Sequence, residues 1–152
     1  MTWNQKRYIE LLKRSEHLKN LKKSFYQESK DEYLELANYE GAIASYIYWK
    51  SRILFLRIME KFVNKIISGE EFEDSFFELR QRLIYECEDF LKELKSEKLK
   101  DFELDPRSYG FGSLISFIKA ECDNFNEDYQ NEEFYDSIKD CFLRLQIALN
   151  EE

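Results

Sequence analysis

The sequence is poor in residues that break helices. One proline, Pro106, and four glycines are spread over 152 residues. So few breakers argue against a turn-rich small domain and favour long helices with few connections. A single histidine, His17, excludes any site that needs two imidazoles from one chain, including the helical Glu-x-x-His di-iron pair. It also leaves no Ser/His/Asp or Cys/His set to place around it. Lying in a polar, basic segment, His17 reads as a surface residue. The three cysteines, Cys87, Cys122 and Cys141, follow no metal spacing, and their odd number does not suggest a disulfide framework. Each falls on or near an apolar helical face, which reads as buried free thiols and a reducing compartment. No apolar run approaches a membrane span, and the N-terminal residues lack the apolar core of a signal peptide. A cytoplasmic setting is expected, or a plastid stroma, because the richness in Lys, Ile, Phe, Tyr, Asn and Glu is what AT-rich coding favours. Gly110-Phe111-Gly112 is a short GxG element with no phosphate-binding loop after it, and it reads as a turn. With no site chemistry assembled, no catalytic residue, metal or cofactor is expected, and no enzymatic activity.

What is present is apolar and strongly helical in period. Hydrophobic residues make up 43% of the chain and aromatics 16%, too much for a disordered segment and enough for one core. The spacing predicts a helix over 4–25 with Tyr8, Leu11, Leu12, Leu18 and Leu21 inward. A second covers 29–50, weakened or broken at Gly41. A very apolar third, 52–68, has Ile53, Leu56, Phe62, Val63, Ile66 and Ile67 available for burial on more than one face. Ser68-Gly69 ends it, with the glycine suited to the left-handed position after a helix. The cleanest stripe follows over 70–95, where Phe72, Phe76, Leu79, Leu83, Cys87, Phe90 and Leu94 step by three or four. Residues 96–109 read as a loop around Pro106. Ser113 is placed to cap a helix over 113–124, and Phe134, Ile138, Phe142, Leu145 and Leu149 mark a last helix over 131–149. No stretch alternates at the strand period. The expected fold is all-α: an antiparallel four-helix bundle over 51–152, with an additional N-terminal helical extension over 1–50.

Charge is unevenly distributed. The chain carries a net −8. Residues 1–24 hold seven basic and two acidic groups, a net +5, so the remainder carries −13. An acidic body repels phosphates and disfavours nucleic acid as the main ligand. It favours a basic protein partner, or it keeps the domain soluble. The densest acidity lies between Glu121 and Asp136. Seven carboxylates (Glu121, Asp123, Glu127, Asp128, Glu132, Glu133 and Asp136) stand there without a Lys or Arg. Phe125, Tyr129, Phe134 and Tyr135 lie among them. Like charges this close repel, and a cationic partner surface is the simplest thing that would offset the repulsion. Phe125 reads either as an anchor within that field or as a core residue near a helix end.

Two segments together resemble the colicin D immunity protein family. One is Ile58-Met59-Glu60-Lys61-Phe62-Val63-Asn64-Lys65-Ile66-Ile67-Ser68-Gly69-Glu70-Glu71-Phe72-Glu73, a short helix, a turn and a helix that opens with an acidic residue and phenylalanine. The other runs from Leu114 to Asp128 and is similar to the family's third helix and the acidic, aromatic turn after it. The resemblance covers about residues 52–150 and leaves 1–50 without a counterpart. It implies a small four-helix immunity protein that binds a tRNA-cleaving nuclease toxin, as in bacteriocin immunity. Such inhibitors cover the toxin's basic active site with carboxylates, in the manner of the RNA. It places contact at Asp123, Phe125 and Asp128, with Glu121 and Glu127 beside them. Glu132, Glu133 and Asp136 extend that surface on electrostatic grounds alone.

Two other readings start from different residues. Tyr46, Tyr48 and Trp49 beside an apolar helix are suited to an interface, which would make the chain a structural or assembly subunit of a larger complex. The +5 segment at the N-terminus is suited to RNA, or is simply a solvated helical face.

Overall fold

The computed structural model describes residues 2–99, 102–126 and 131–151. Among these the chain is all-α, with seven helices and no strand. They are α1 (Gln5–Asn20), α2 (Phe25–Glu28), α3 (Lys30–Lys50), α4 (Arg52–Val63), α5 (Gly69–Lys95), α6 (Ser108–Asp123) and α7 (Asn131–Asn150). No helix among the described residues is long and apolar enough to cross a membrane.

Two groups of buried residues hold the helices together. The larger joins α3 to α7 and contains Phe55, Met59, Phe72, Leu83, Phe111, Ile115, Ile118, Ile138 and Leu145. The smaller lies under α1 and contains Tyr8, Leu11, Leu36, Tyr39, Ile43 and Leu94. α3 supplies Leu36, Tyr39 and Ile43 to the second group and Ile47 and Trp49 to the first. Its apolar stripe therefore changes neighbours along its length. α3 runs unbroken through Gly41, because Tyr39, Ala42 and Ile43 on either side of the glycine are buried and fix the backbone there.

The N-terminal residues are tied to the chain after α5 by side-chain bonds to backbone. Trp3 Nε1 donates to the Phe102 carbonyl at 3.0 Å. The Gln5 amide donates to the Leu99 carbonyl and accepts from the Phe102 N–H. Arg7 meets Glu35 of α3 with both arms of its guanidinium, at 2.8 and 3.0 Å, and Arg14 meets Glu32 at 3.0 Å. Two of the cations that make residues 1–24 basic are thus neutralised by α3. The Glu35 carboxyl is held below its usual pKa by its hydrogen bond to Arg7.

Several helix ends differ from expectation. α1 stops at Asn20, and a separate short turn, α2, takes up the following residues. Gly69 is not a left-handed terminator, for no glycine among the described residues has a positive φ. The left-handed residue after α4 is Lys65, with φ 57°. There the Ile66 N–H donates to the Lys61 carbonyl at 2.8 Å and the Lys65 N–H to the Phe62 carbonyl at 3.0 Å, closing the helix in the Schellman manner. Gly69 instead opens α5. Ser68 before it caps the helix and Glu71 returns a bond to the Ser68 N–H, completing a capping box. α6 begins at Ser108 rather than at Ser113, so Gly110-Phe111-Gly112 is helix and not a turn. The signal for that start is Asp105-Pro106. The Asp105 carboxylate accepts from the Arg107 N–H at 3.0 Å, and Pro106, just before the N-terminal cap, stands where no helical N–H is needed. Buried Ser108 donates its hydroxyl to the Asp105 carbonyl at 2.7 Å.

Lys65 is exposed and carries a backbone strain that glycine would not. Lys65→Gly is expected to raise the unfolding free energy by roughly 0.5–1 kcal/mol, less than the full left-handed penalty because glycine also gains freedom when unfolded. Urea denaturation followed by circular dichroism measures it.

Candidate functional site

Three helix ends meet at one end of the bundle, and each brings carboxylates. α5 begins there with Glu70, Glu71, Glu73 and Asp74. α6 ends there with Glu121 and Asp123, and α7 begins there with Glu132, Glu133 and Asp136. The ring of Phe125 joins them. It lies 4.4 Å from the Phe134 ring of α7, centroid to centroid, and sits directly over Gly69 of α5. A Cβ on Gly69 would come within 2.6 Å of that ring, so a larger residue opening α5 would push the Phe125 ring aside. Tyr135 fastens α7 to the end of α4 by donating its hydroxyl to the Val63 carbonyl at 2.8 Å. Between these elements is a cleft of about 630 Å³ whose walls include Lys65, Ser68, Glu132, Tyr135 and Asp136.

Of the expected contact residues, Asp123, Glu132, Glu133 and Asp136 are exposed, and Glu121 is partly so. Phe125 is half-buried, with its ring packed against the core, which is the second of its two sequence readings. Glu127 and Asp128 lie outside the described residues. The end is not purely acidic. Lys119 pairs with Asp123 at 2.6 Å along α6. Lys65 and Lys139 sit 5.5 and 6.0 Å from the Tyr135 ring centre. The pair on Asp123 is exposed and one turn apart, an arrangement that contributes only about 0.3–0.5 kcal/mol and exchanges readily for another cation.

The acids of α5 were not among the expected contacts. They lie some fifty residues before Asp123, and their sequence pattern reads equally well as a helix start that favours negative charge. The structure gives them a second consequence. Glu73 is partly buried beside Asp123, and its carboxyl is pushed above the usual range by burial first, then by the charges of Asp74, Asp123 and Glu70. Cys122 beneath is pushed to about 12, again by burial and then by Glu73, Asp123 and Glu121. Cys87 and Cys141 are each raised to about 11, mainly by burial. All three are free, and at neutral pH they are thiols rather than reactive thiolates. One apolar residue also stands out at this end. Ile66, expected in the core, is 70% exposed because the left-handed turn at Lys65 swings the chain away from the helix.

Glu73 gives a test of burial and crowding together. Because its folded-state pKa is raised, its charge destabilises the fold at pH values above that pKa. The penalty disappears as pH falls through the folded pKa toward the unfolded value of 4.5. Glu73→Gln is therefore expected to raise the melting temperature at pH 7. The gain should shrink as pH falls toward the ordinary carboxylate range, and calorimetry across that range checks it. Glu35 and Asp105, whose pKa values are lowered, act in the opposite sense. Their stabilisation is present above their unfolded pKa and is lost as pH falls through the folded one.

The residues that pointed to an assembly interface face inward. Trp49 is 5% exposed and packs edge-on against Phe111. Tyr46 packs on Phe90 and Phe102, and Tyr48 on Phe55. Among the described residues no group of His, Cys, Asp and Glu is arranged to hold a metal ion. Comparison of the chain with protein-family models, with curated proteins and with solved structures finds no match in any of the three.

Proposed function

We propose that this protein is a non-catalytic inhibitor that binds a basic nuclease through the acidic end of its bundle, in the manner of an immunity protein. The observation that carries the reading is the convergence of carboxylates from α5, α6 and α7. Within it the Glu73 carboxyl holds its proton more readily than an ordinary one, through burial first and then through the charges of Asp74, Asp123 and Glu70. A fold tolerates such repulsion at a cost, and a cationic partner surface removes the cost on binding. A nuclease that cuts tRNA holds phosphates with Lys and Arg, and carboxylates on a rigid helical scaffold present the same sign of charge to them. The resemblance of residues 52–150 to the colicin D immunity family gives the same partner class. Ile66 and the half-buried edge of Phe125 supply apolar contacts within the acidic field.

The test is functional. A basic partner isolated with the protein at low salt is assayed for cleavage of tRNA in the anticodon loop, with and without added inhibitor. Stoichiometric protein should stop the cleavage, and rising salt should weaken the inhibition. Undiminished cleavage in the presence of excess protein would sink the reading.

A further inference from the structure

A second concave surface lies away from the acidic end, between α6 and the C-terminal half of α7, with a volume of about 680 Å³. Its apolar lining comes from Trp49, Phe111, Leu114, Phe117 and Leu145. Trp49, Phe111 and Leu145 are core residues, while Phe117 at the rim is 46% exposed. The volume and lining are those of a small-molecule site, which typically occupies about 300–1,000 Å³ and is mostly apolar with a few polar groups.

The charged groups around the cleft are already matched to one another. Asp105 takes Arg107 Nε at 3.0 Å and its second arm at 2.7 Å, and it takes a hydrogen bond from the Trp49 side chain as well. Arg144 is paired with Asp140 one turn earlier at 2.8 Å. Glu151 adds a further carboxylate. An anion here would have to displace an acid from its arginine, and it would then lie among carboxylates that outnumber the two cations. A ligand cation is opposed from the other side. The Trp49 ring centre already has the guanidiniums of Arg52 and Arg107 at 4.4 and 5.2 Å, so a third positive charge at the indole meets two like ones. Glu151 is exposed, where an ion pair is worth little. Neither sign of charge finds a partner within the cleft, and an ion taken out of water without one is strongly penalised. What the cleft does offer is the apolar surface of Leu114 and Phe117 beside the core rings, with the Ser113 hydroxyl as a neutral polar group.

We infer that this cleft binds a small, uncharged, mainly apolar molecule, its body against Phe111, Leu114 and Phe117 beside Trp49, with at most a hydroxyl or carbonyl as its polar group. The inference is independent of the acidic end and of any nuclease partner.

The chain's two tryptophans make the test specific. Trp49 lines the cleft, whereas Trp3 lies against Tyr8, Tyr39 and Phe102 at the other group of buried residues. Octanol, octanoate and octylamine share one chain length and differ in charge at pH 7, and each is titrated into the 15N-labelled protein while both indole N–H resonances are followed. Octanol should shift Trp49 and leave Trp3 in place. Octanoate and octylamine should bind at least about tenfold more weakly, because each brings a charge that the cleft does not match. Hexanol should also bind about tenfold more weakly than octanol, the effect of two fewer buried methylenes. Ala148→Phe, which fills the cleft from α7, should abolish the shift that octanol induces at Trp49, with an unmoved Trp3 resonance showing that the variant folds. Phe117→Ala, at an exposed position, should weaken octanol roughly fivefold through lost apolar contact. No shift of Trp49 with octanol would overturn the inference. So would octanoate or octylamine binding as tightly as octanol, or an octanol affinity that Phe117→Ala leaves unchanged.

Discussion

Gly112→Leu is expected to abolish cooperative folding. Among the described residues α3 and α6 make the most extensive helix–helix contact, and Gly112 of α6 lies directly against Ser45 of α3. A Cβ there would lie 1.9 Å from Ser45 Oγ and 2.7 Å from Ser45 Cβ. Neither distance is tolerable, and the second involves an atom fixed to the backbone of α3, so the helices themselves must separate. Even Gly112→Ala should cost about 1–3 kcal/mol through overpacking. The leucine side chain needs a larger separation and would strip Phe111 and Ile115 of their partners. That is a large fraction of the roughly 5–15 kcal/mol by which a domain of this kind is stable. Ser45→Gly supplies the control. It removes both offending atoms and leaves Ser45 Cα at 3.4 Å, an ordinary contact. The double variant Ser45→Gly/Gly112→Ala should recover most of the loss, apart from about 1 kcal/mol for a glycine inside α3. A coupling of about 1–3 kcal/mol in the urea double-mutant cycle is the expected result, and additive losses would place the contact elsewhere.

The second large effect concerns binding. Asp123→Lys/Glu132→Lys/Asp136→Lys converts three exposed carboxylates to cations at the meeting point of α6 and α7. Affinity for a basic nuclease is expected to fall by at least about a hundredfold, since single desolvated charge pairs at interfaces are worth about 2–5 kcal/mol and the field that speeds encounter is lost too. Stability should change little. Lysine in the first turn of α7 opposes the helix dipole by about 0.3–1 kcal/mol, and the relief of repulsion at Glu73 acts the other way. A melting temperature near that of the wild type, measured beside the loss of binding, separates the two effects.

The helical class and the main stripes were legible in the sequence, because Phe72, Phe76, Leu79, Leu83 and Leu94 on α5 and Phe134, Ile138 and Leu145 on α7 repeat with the helical period and are buried. What misled was local punctuation read without neighbours. Gly69, Gly110 and Gly112 look like breakers. At Gly69 and Gly112 the missing side chain instead allows close approach, to Phe125 and to Ser45, and no pattern along one helix reveals a partner on another. Lys65 closes α4 in a conformation usually given to glycine, so the exposure of Ile66 was hidden too. The acidic stretch at 121–136 was conspicuous in the sequence. Its continuation through Glu70, Glu73 and Asp74 was not, since it depends on how α5 sits against α6 and α7. The cleft beside Trp49 was equally invisible, for its walls come from residues as far apart as Trp49, Arg107 and Arg144.

Affinity capture from the native source at low salt, using the wild-type chain and the Asp123→Lys/Glu132→Lys/Asp136→Lys variant side by side, tests whether the acidic end binds a basic nuclease. A basic ribonuclease retained by the wild type and absent from the variant is the predicted result. The same partners on both baits, with no nuclease among them, would contradict it.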